Sequence, residues 1–317
     1  MEPQVTSAAL SFSEAIATSG FVAIAVGINK KAKAGDFNPS LAAYRDILSD
    51  PAYSLLLDTS FLTKYNVRYN IQVQENDNGA TIWSYFGFIA QHKTAGNYVI
   101  VFRGTQNDFE YAADKQIALV QFNEIYNKTG LVAKGFYSIF QSGRIVLPGD
   151  NTFNPVSLSQ VAADPQKYMP TTGGPKKITV TGHSLGAAVA TYFAAAAAFK
   201  LEKYLSLDTF ASPMTGDKTF TAFATGKIGE SNRIYNEEDS VPKLPVLPDL
   251  KGNNIYTHVI GGFRIDSTNN SNVNHDPKTG RACAHQLPVY RYLLEQLNGN
   301  DDPNIISAGG DARCRIQ

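Results

Sequence analysis

The sequence predicts an α/β fold, folded as one domain over residues 1–317, with a mostly parallel central sheet and helices on both of its faces. Three observations carry that expectation. Short apolar runs at Tyr98 to Phe102 (YVIVF), Ile178 to Val180 (ITV) and Leu205 to Phe210 are rich in β-branched and aromatic residues, and YVIVF is continuous, as a strand covered on both faces must be. Helix-forming stretches alternate with these runs, the densest being the alanine-rich segment up to Phe199. Between strand and helix stand Gly182, His183, Ser184, Leu185 and Gly186, the pattern G-x-S-x-G that lifts a serine above the end of a parallel sheet.

In chain order, Ser7 to Ile28 mixes alanine with spaced large apolar residues, and Leu41 to Leu57 does so more weakly around Pro51, so residues 1–60 supply N-terminal helices. Tyr69 to Gln74 and Thr81 to Ala90 flank the turn residues Asn76 to Gly79 and form a hairpin feeding the YVIVF strand. Gln106 to Leu131 has no strong period; residues 106–125 are expected to form a mobile cover, a lid region. Val132 to Phe140 opens a helix. Residues 143–176, rich in proline, glycine, asparagine and serine, are too long for an ordinary connection and are expected as a surface insertion with a turn of helix near Leu158. Strands follow at Leu205 to Phe210, Arg233 to Tyr235 and Ile255 to Ile265, with helices at Lys218 to Phe223 and Ala284 to Leu297.

Lysine plus arginine equals aspartate plus glutamate at 28 each, so no charge excess points to nucleic acid. The most apolar N-terminal run, Ala15 to Ile28, is shorter than a membrane span, and Glu2 and Glu14 precede it where a signal peptide carries basic residues. Cys283 and Cys314 fit either one disulfide in an exported protein or two free thiols in a reducing compartment; secretion and a cytoplasmic location both stay open. Phosphate-binding glycine loops, heptads and metal-spaced histidine or cysteine clusters are lacking in the sequence, so neither a metal nor an organic cofactor is expected.

At a tight strand-to-helix turn, positions two before and two after the serine approach closely, which is why Gly182 and Gly186 flank Ser184. The serine would stand at a helix N-terminus, where free NH groups favour the negative charge that develops in acyl transfer. A base and an acid must follow it in the chain. His258 sits in the apolar run YTHVIGGF and fits a structural role. His275 lies in a polar loop. His285 opens HQLPVYRYLLEQL, fixed by an amphipathic helix, and is the preferred base. For the acid, Asp239 is preferred because VPKLP frames it rigidly at the carboxyl end of the sheet; Asp208 is the second choice. The oxyanion is expected to meet the NH groups of Leu185 and of Thr105, in the loop after YVIVF.

Read together, YVIVFRGT, VAKGF, ITVTGHSLGAAVA, FASPMTGD, RIYNEEDSVPKLP, YTHVIGG and CAHQLPVY resemble the class 3 lipase family in order and spacing, from about Tyr98 to Leu294. The resemblance implies an α/β-hydrolase fold and a carboxylic ester hydrolase, most simply a triacylglycerol lipase, with feruloyl esterase and phospholipase as relatives in the family. It implies Ser184 as nucleophile, Asp239 as acid, His285 as base, and Thr105 and Leu185 as the oxyanion hole. The expected partner is an ester or lipid substrate. In this reading residues Gln106 to Gln116 are a lid whose sizeable apolar residues are Phe109 and Tyr111, while Ile117, Leu119 and Val120 pack beneath it or belong to the core.

Overall fold

The computed structural model of the protein describes residues 11–32, 35–77, 80–104, 117–125, 129–174, 176–201, 204–276, 280 and 282–316. Thirteen strands form among them: β1 (Tyr65–Asp77), β2 (Ala80–His92), β3 (Tyr98–Phe102), β4 (Leu119–Gln121), β5 (Leu131–Ala133), β6 (Arg144–Val146), β7 (Val156–Ser157), β8 (Ile178–His183), β9 (Leu205–Phe210), β10 (Gly216–Asp217), β11 (Glu230–Asn236), β12 (Tyr256–Thr257) and β13 (Gly262–Ile265). Nine of them make one sheet in the order β13-β11-β9-β8-β3-β2-β1-β6-β7, and a small second sheet runs β12-β10-β5-β4. The pairs from β3 through β8, β9 and β11 to β13 are parallel; those from β3 through β2 and β1 to β6 and β7 are antiparallel. The parallel half carries the candidate site, because parallel strands deliver all their carboxyl ends to one edge.

Two apolar clusters cover the two faces. On one face lies the helix Leu185–Leu201, buried from Leu185 through Ala198. Its alanines let the helix backbone sink close to the sheet, and alanine is also the strongest helix former. On the other face lie the helices Phe12–Lys31 and Leu287–Leu297, capped at the first by the Ser11 hydroxyl on the Glu14 NH. The helix Phe12–Lys31 is longer than the apolar run seen in the sequence and is long and apolar enough to cross a membrane. Here it packs against the sheet, with Val22, Ile24, Ala25 and Ile28 buried.

Three expectations need correction. Residues 143–176 are not a surface insertion laid over the fold: β6 and β7 extend the antiparallel edge, and Leu158, Val161, Ala162 and Met169 are buried in the core. Proline, glycine and asparagine mark irregular backbone but not its depth. The strand expected over Ile255 to Ile265 is two strands in different sheets, broken at Gly261, whose φ of +107° suits glycine and whose Cα faces the Ser231 carbonyl. Finally, the later part of the 106–125 lid region is structural. Leu119–Gln121 pairs with β5, and Phe122 is buried against Tyr137, Tyr192 and Phe220. Residues 105–116, including Phe109 and Tyr111, lie outside the described residues.

Candidate active site

The site grows from the end of β8. Its last residue, His183, leads into Ser184, whose φ of 56° is the left-handed region that a non-glycine residue rarely occupies. The Ser184 NH is held by the Phe210 carbonyl on β9 (3.0 Å), and its carbonyl accepts from Ala187 NH (2.9 Å), which starts the helix. Both flanking glycines are required by contact. A Cβ on Gly182 would strike the Gly186 carbonyl, and one on Gly186 would strike the carbonyls of Phe102 and Arg103 at the end of β3. Leu185 is the first residue of the helix, so its NH is one of the first-turn donors that the helix itself cannot satisfy. Gly104 passes against Ser184, where an added Cβ would meet the serine Cβ at 3.2 Å. The chain after β3 therefore reaches the nucleophile position; Thr105, the next residue, lies outside the described residues.

Three side chains from distant parts of the sequence meet here. His285 Nε2 lies 2.9 Å from Ser184 Oγ, and His285 Nδ1 lies 2.7 Å from Asp239 Oδ2. The Asp239 side chain is fully buried and that of His285 is 11% exposed. Asp239 sits in the turn after β11, where Val241 NH donates to its Oδ1 at 2.9 Å. His275 is exposed in the loop before, and His258 spends its Nε2 on the Pro242 carbonyl (2.7 Å), with burial as the largest cause holding its pKa at about 4. Asp208, the second choice for the acid, lies within β9 and accepts from Asn232 Nδ2 at 2.8 Å.

Three residues that hold this arrangement were missed in the sequence. Tyr290 donates its hydroxyl to Asp239 Oδ2 at 2.7 Å and accepts from Asn236 NH at 3.0 Å. Asn236 reaches across with Nδ2 to the Ala284 carbonyl (2.9 Å), so the last residue of β11 grips the turn that carries His285. His183 donates Nε2–H to the His285 carbonyl at 2.8 Å; burial and the neighbouring His285 push its pKa down to about 3, leaving it a neutral donor. A signal existed for Tyr290 alone, as a polar-tipped aromatic in the first turns of the helix that follows His285. Cys283 and Cys314 are joined as a disulfide, which ties the C-terminal tail to the turn Cys283–His285.

The arrangement can do one kind of chemistry well. A hydroxyl, an imidazole and a carboxylate hydrogen-bonded in line activate the hydroxyl for attack on a carbonyl, and a helix-start NH beside it suits the resulting oxyanion.

Known proteins share part of this sequence and its fold. A family model described as Lipase (class 3) matches residues 99–248, taking in Ser184 and Asp239 and stopping short of His285. A secreted mono- and diacylglycerol lipase A of Penicillium cyclopium is 31% identical over 194 residues, 61% of this chain and 56% of that protein. A chloroplastic phospholipase A(1) of Arabidopsis thaliana is 28% identical over 230 residues, 62% of this chain and 49% of its own. The chain thus spans about half the length of these curated relatives. Among solved structures, a mutant form of MDLA from Penicillium cyclopium superposes with a TM-score of 0.53 at 24% identity, covering 84% of this chain and 85% of that one. At that identity the likeness speaks for the fold, which is the α/β-hydrolase fold. With the family model seated on the strand, elbow and acid turn described above, the chain is similar to the class 3 lipase family over residues 99–248.

Proposed function

We propose that the protein is a serine carboxylic ester hydrolase acting on acyl esters of glycerol, with Ser184 as nucleophile, His285 as general base and Asp239 as the acid that orients it. The observation that carries the reading is the unbroken relay from Asp239 Oδ2 through His285 to Ser184 Oγ, mounted on a strained elbow. His285 Nε2 takes the serine proton as Oγ attacks the ester carbonyl. The oxyanion settles on the Leu185 NH, with Thr105 NH as the expected second donor. The imidazolium then protonates the leaving alcohol, and a water activated by the same histidine releases the acyl enzyme. Asp239 supports the imidazolium throughout. No step calls on a metal or organic cofactor.

Ser184→Ala is the test. Turnover of p-nitrophenyl butyrate should fall by about a thousandfold or more with the thermal midpoint kept. Wild-type turnover in that variant, after an esterase contaminant has been ruled out, overturns the assignment. Similarity to mono- and diacylglycerol lipases favours glycerol esters as substrate, and similarity to phospholipases A1 supports a second reading. Rates on tri-, di- and monoacylglycerol emulsions, phosphatidylcholine and methyl ferulate choose among them. Export is part of the proposal: the disulfide between Cys283 and Cys314 needs an oxidising compartment, and the fungal relatives are named secreted.

A further inference from the structure

A small cavity of about 10 Å³ lies against β9 and β11, on the face of the sheet covered by the helix Leu185–Leu201. It has room for one particle the size of a water. Thr209, Thr215, Ser231, Arg233 and His258 are among its lining residues, and among the described residues no aspartate or glutamate borders it. The hydroxyls of Thr209, Thr215 and Ser231 make no hydrogen bond with any described residue, so each is free to donate into the space.

Arg233 brings the charge. Its guanidinium makes no ion pair and no hydrogen bond among the described residues, and its Nε is buried without a partner. Burial pulls its pKa below the ordinary arginine value, and Tyr235 and Tyr290, not a carboxylate, oppose the fall. The Tyr235 ring centre lies 4.8 Å from the guanidinium carbon, which gives the cation a face but no counter-charge. Arginine cannot shed its proton to escape burial, so a guanidinium partly cut off from water calls for an anion. The residue opposite it on β13 is Gly262, where an added Cβ would come 2.6 Å from Arg233 Nη2. The neighbour best placed to answer the charge therefore has no side chain. His258 spends its Nε2–H on the Pro242 carbonyl (2.7 Å), and burial, with the Arg233 charge adding to it, keeps its ring neutral.

We propose that this cavity is a binding site for a single halide-sized anion, held by the Arg233 guanidinium and the hydroxyls of Thr209, Thr215 and Ser231. The donor set selects the charge, and the volume selects the size. Phosphate, sulfate and an acyl carboxylate are too large for it, whereas chloride is only slightly wider than water. The site goes beyond ester hydrolysis and lies outside the relay. What joins the two is the His258 bond to the Pro242 carbonyl, three residues after Asp239.

The thermal midpoint of the full chain in about 1 and about 100 mM sodium chloride, with sodium methanesulfonate holding the ionic strength constant, tests the site beside the chloride NMR line width. Wild type should gain about 2 °C and broaden the chloride line. Arg233→Met should lose both responses. Gly262→Asp, at an exposed position beside Arg233 Nη2, should supply the counter-charge from within, so that neither readout moves with chloride. A wild-type midpoint and line width indifferent to chloride would mean that the cavity takes water only, and would overturn the site. An undiminished chloride response in Gly262→Asp overturns it equally, and decides the matter if Arg233→Met does not fold. Neither readout uses ester turnover, so failure here leaves the hydrolase reading untouched.

Discussion

Two buried aspartates belong to the parallel half of the sheet, and their surroundings differ sharply. Asp239, at the carboxyl end of β11, receives His285, Tyr290 and the Val241 NH on its two oxygens. Asp208, within neighbouring β9, receives one amide from Asn232. Burial dominates there and raises its pKa to about 6, with Asn232 and Lys177 opposing the rise and Glu14 and Glu230 adding to it. Burial alone therefore does not fix a carboxylate in place. Converging donors do, and the turn at the strand end supplies them because its backbone NH groups are free of the ladder.

The largest effect should come from swapping these two positions in turn. Asp239→Asn is expected to lower kcat by about 10³ to 10⁴-fold, because the amide cannot support the imidazolium or fix its tautomer. Asp208→Asn should keep kcat within about twofold. Steady-state rates on a soluble ester decide it, and inactivation by the Asp208 change would erase the distinction.

The next effect is on stability. A carboxyl whose folded pKa lies above its unfolded value favours the folded state below the unfolded pKa and loses that contribution as pH rises through the folded one. For Asp208 the window runs from the ordinary 3.8 to about 6. The full shift corresponds to about 3 kcal/mol lost across it. Asp208→Asn removes the ionisation, so its urea midpoint should exceed wild type at pH 7.5 by more than at pH 4. Parallel curves at the two pH values would show that Asp208 does not titrate in that window.

Tyr290→Phe should be the mildest of the three. It removes one donor from Asp239 and strands the Asn236 NH, costing about 1.5 to 3 kcal/mol for a hydrogen bond to a charged group. A fall in kcat/KM of roughly tenfold or more, with KM little changed, is expected. An unchanged value would mean that His285 and Val241 suffice to hold the carboxylate.

The three side chains that meet at the candidate site, Ser184, His285 and Asp239, could each be picked out before the structure, since each stands in a local frame: two glycines, a helix start, a proline-stiffened turn. Tyr290, Asn236 and His183 were not, because their partners lie across the fold and nothing in RIYNEED or GHSLG says which side chain reaches which carbonyl. The sheet's parallel strands were readable from their continuous apolar runs. The split at Gly261 was missed because Val259 and Ile260 sustain an apolar pattern through a change of sheet. Ile117 to Phe122 was joined to the cover for want of a period, although Phe122 belongs to the core. The tie of Cys283 to Cys314 was one of two open readings, since pairing depends on distance in space, and their Cα atoms lie 5.1 Å apart.

The helix behind Ser184 also has a meaning for anyone who wishes to alter the protein by random variation. From Ala187 to Ala198 every side chain is buried, and the run Ala194 to Ala198 has no room for a longer one without moving the helix that carries the elbow. Sequence diversity placed there will be spent on unfolded clones or displaced serines. The same diversity placed at Phe199 or Lys200, where the helix leaves the interior, should be absorbed without effect on turnover. A library that spares 187–198 would leave the reacting atoms where they are.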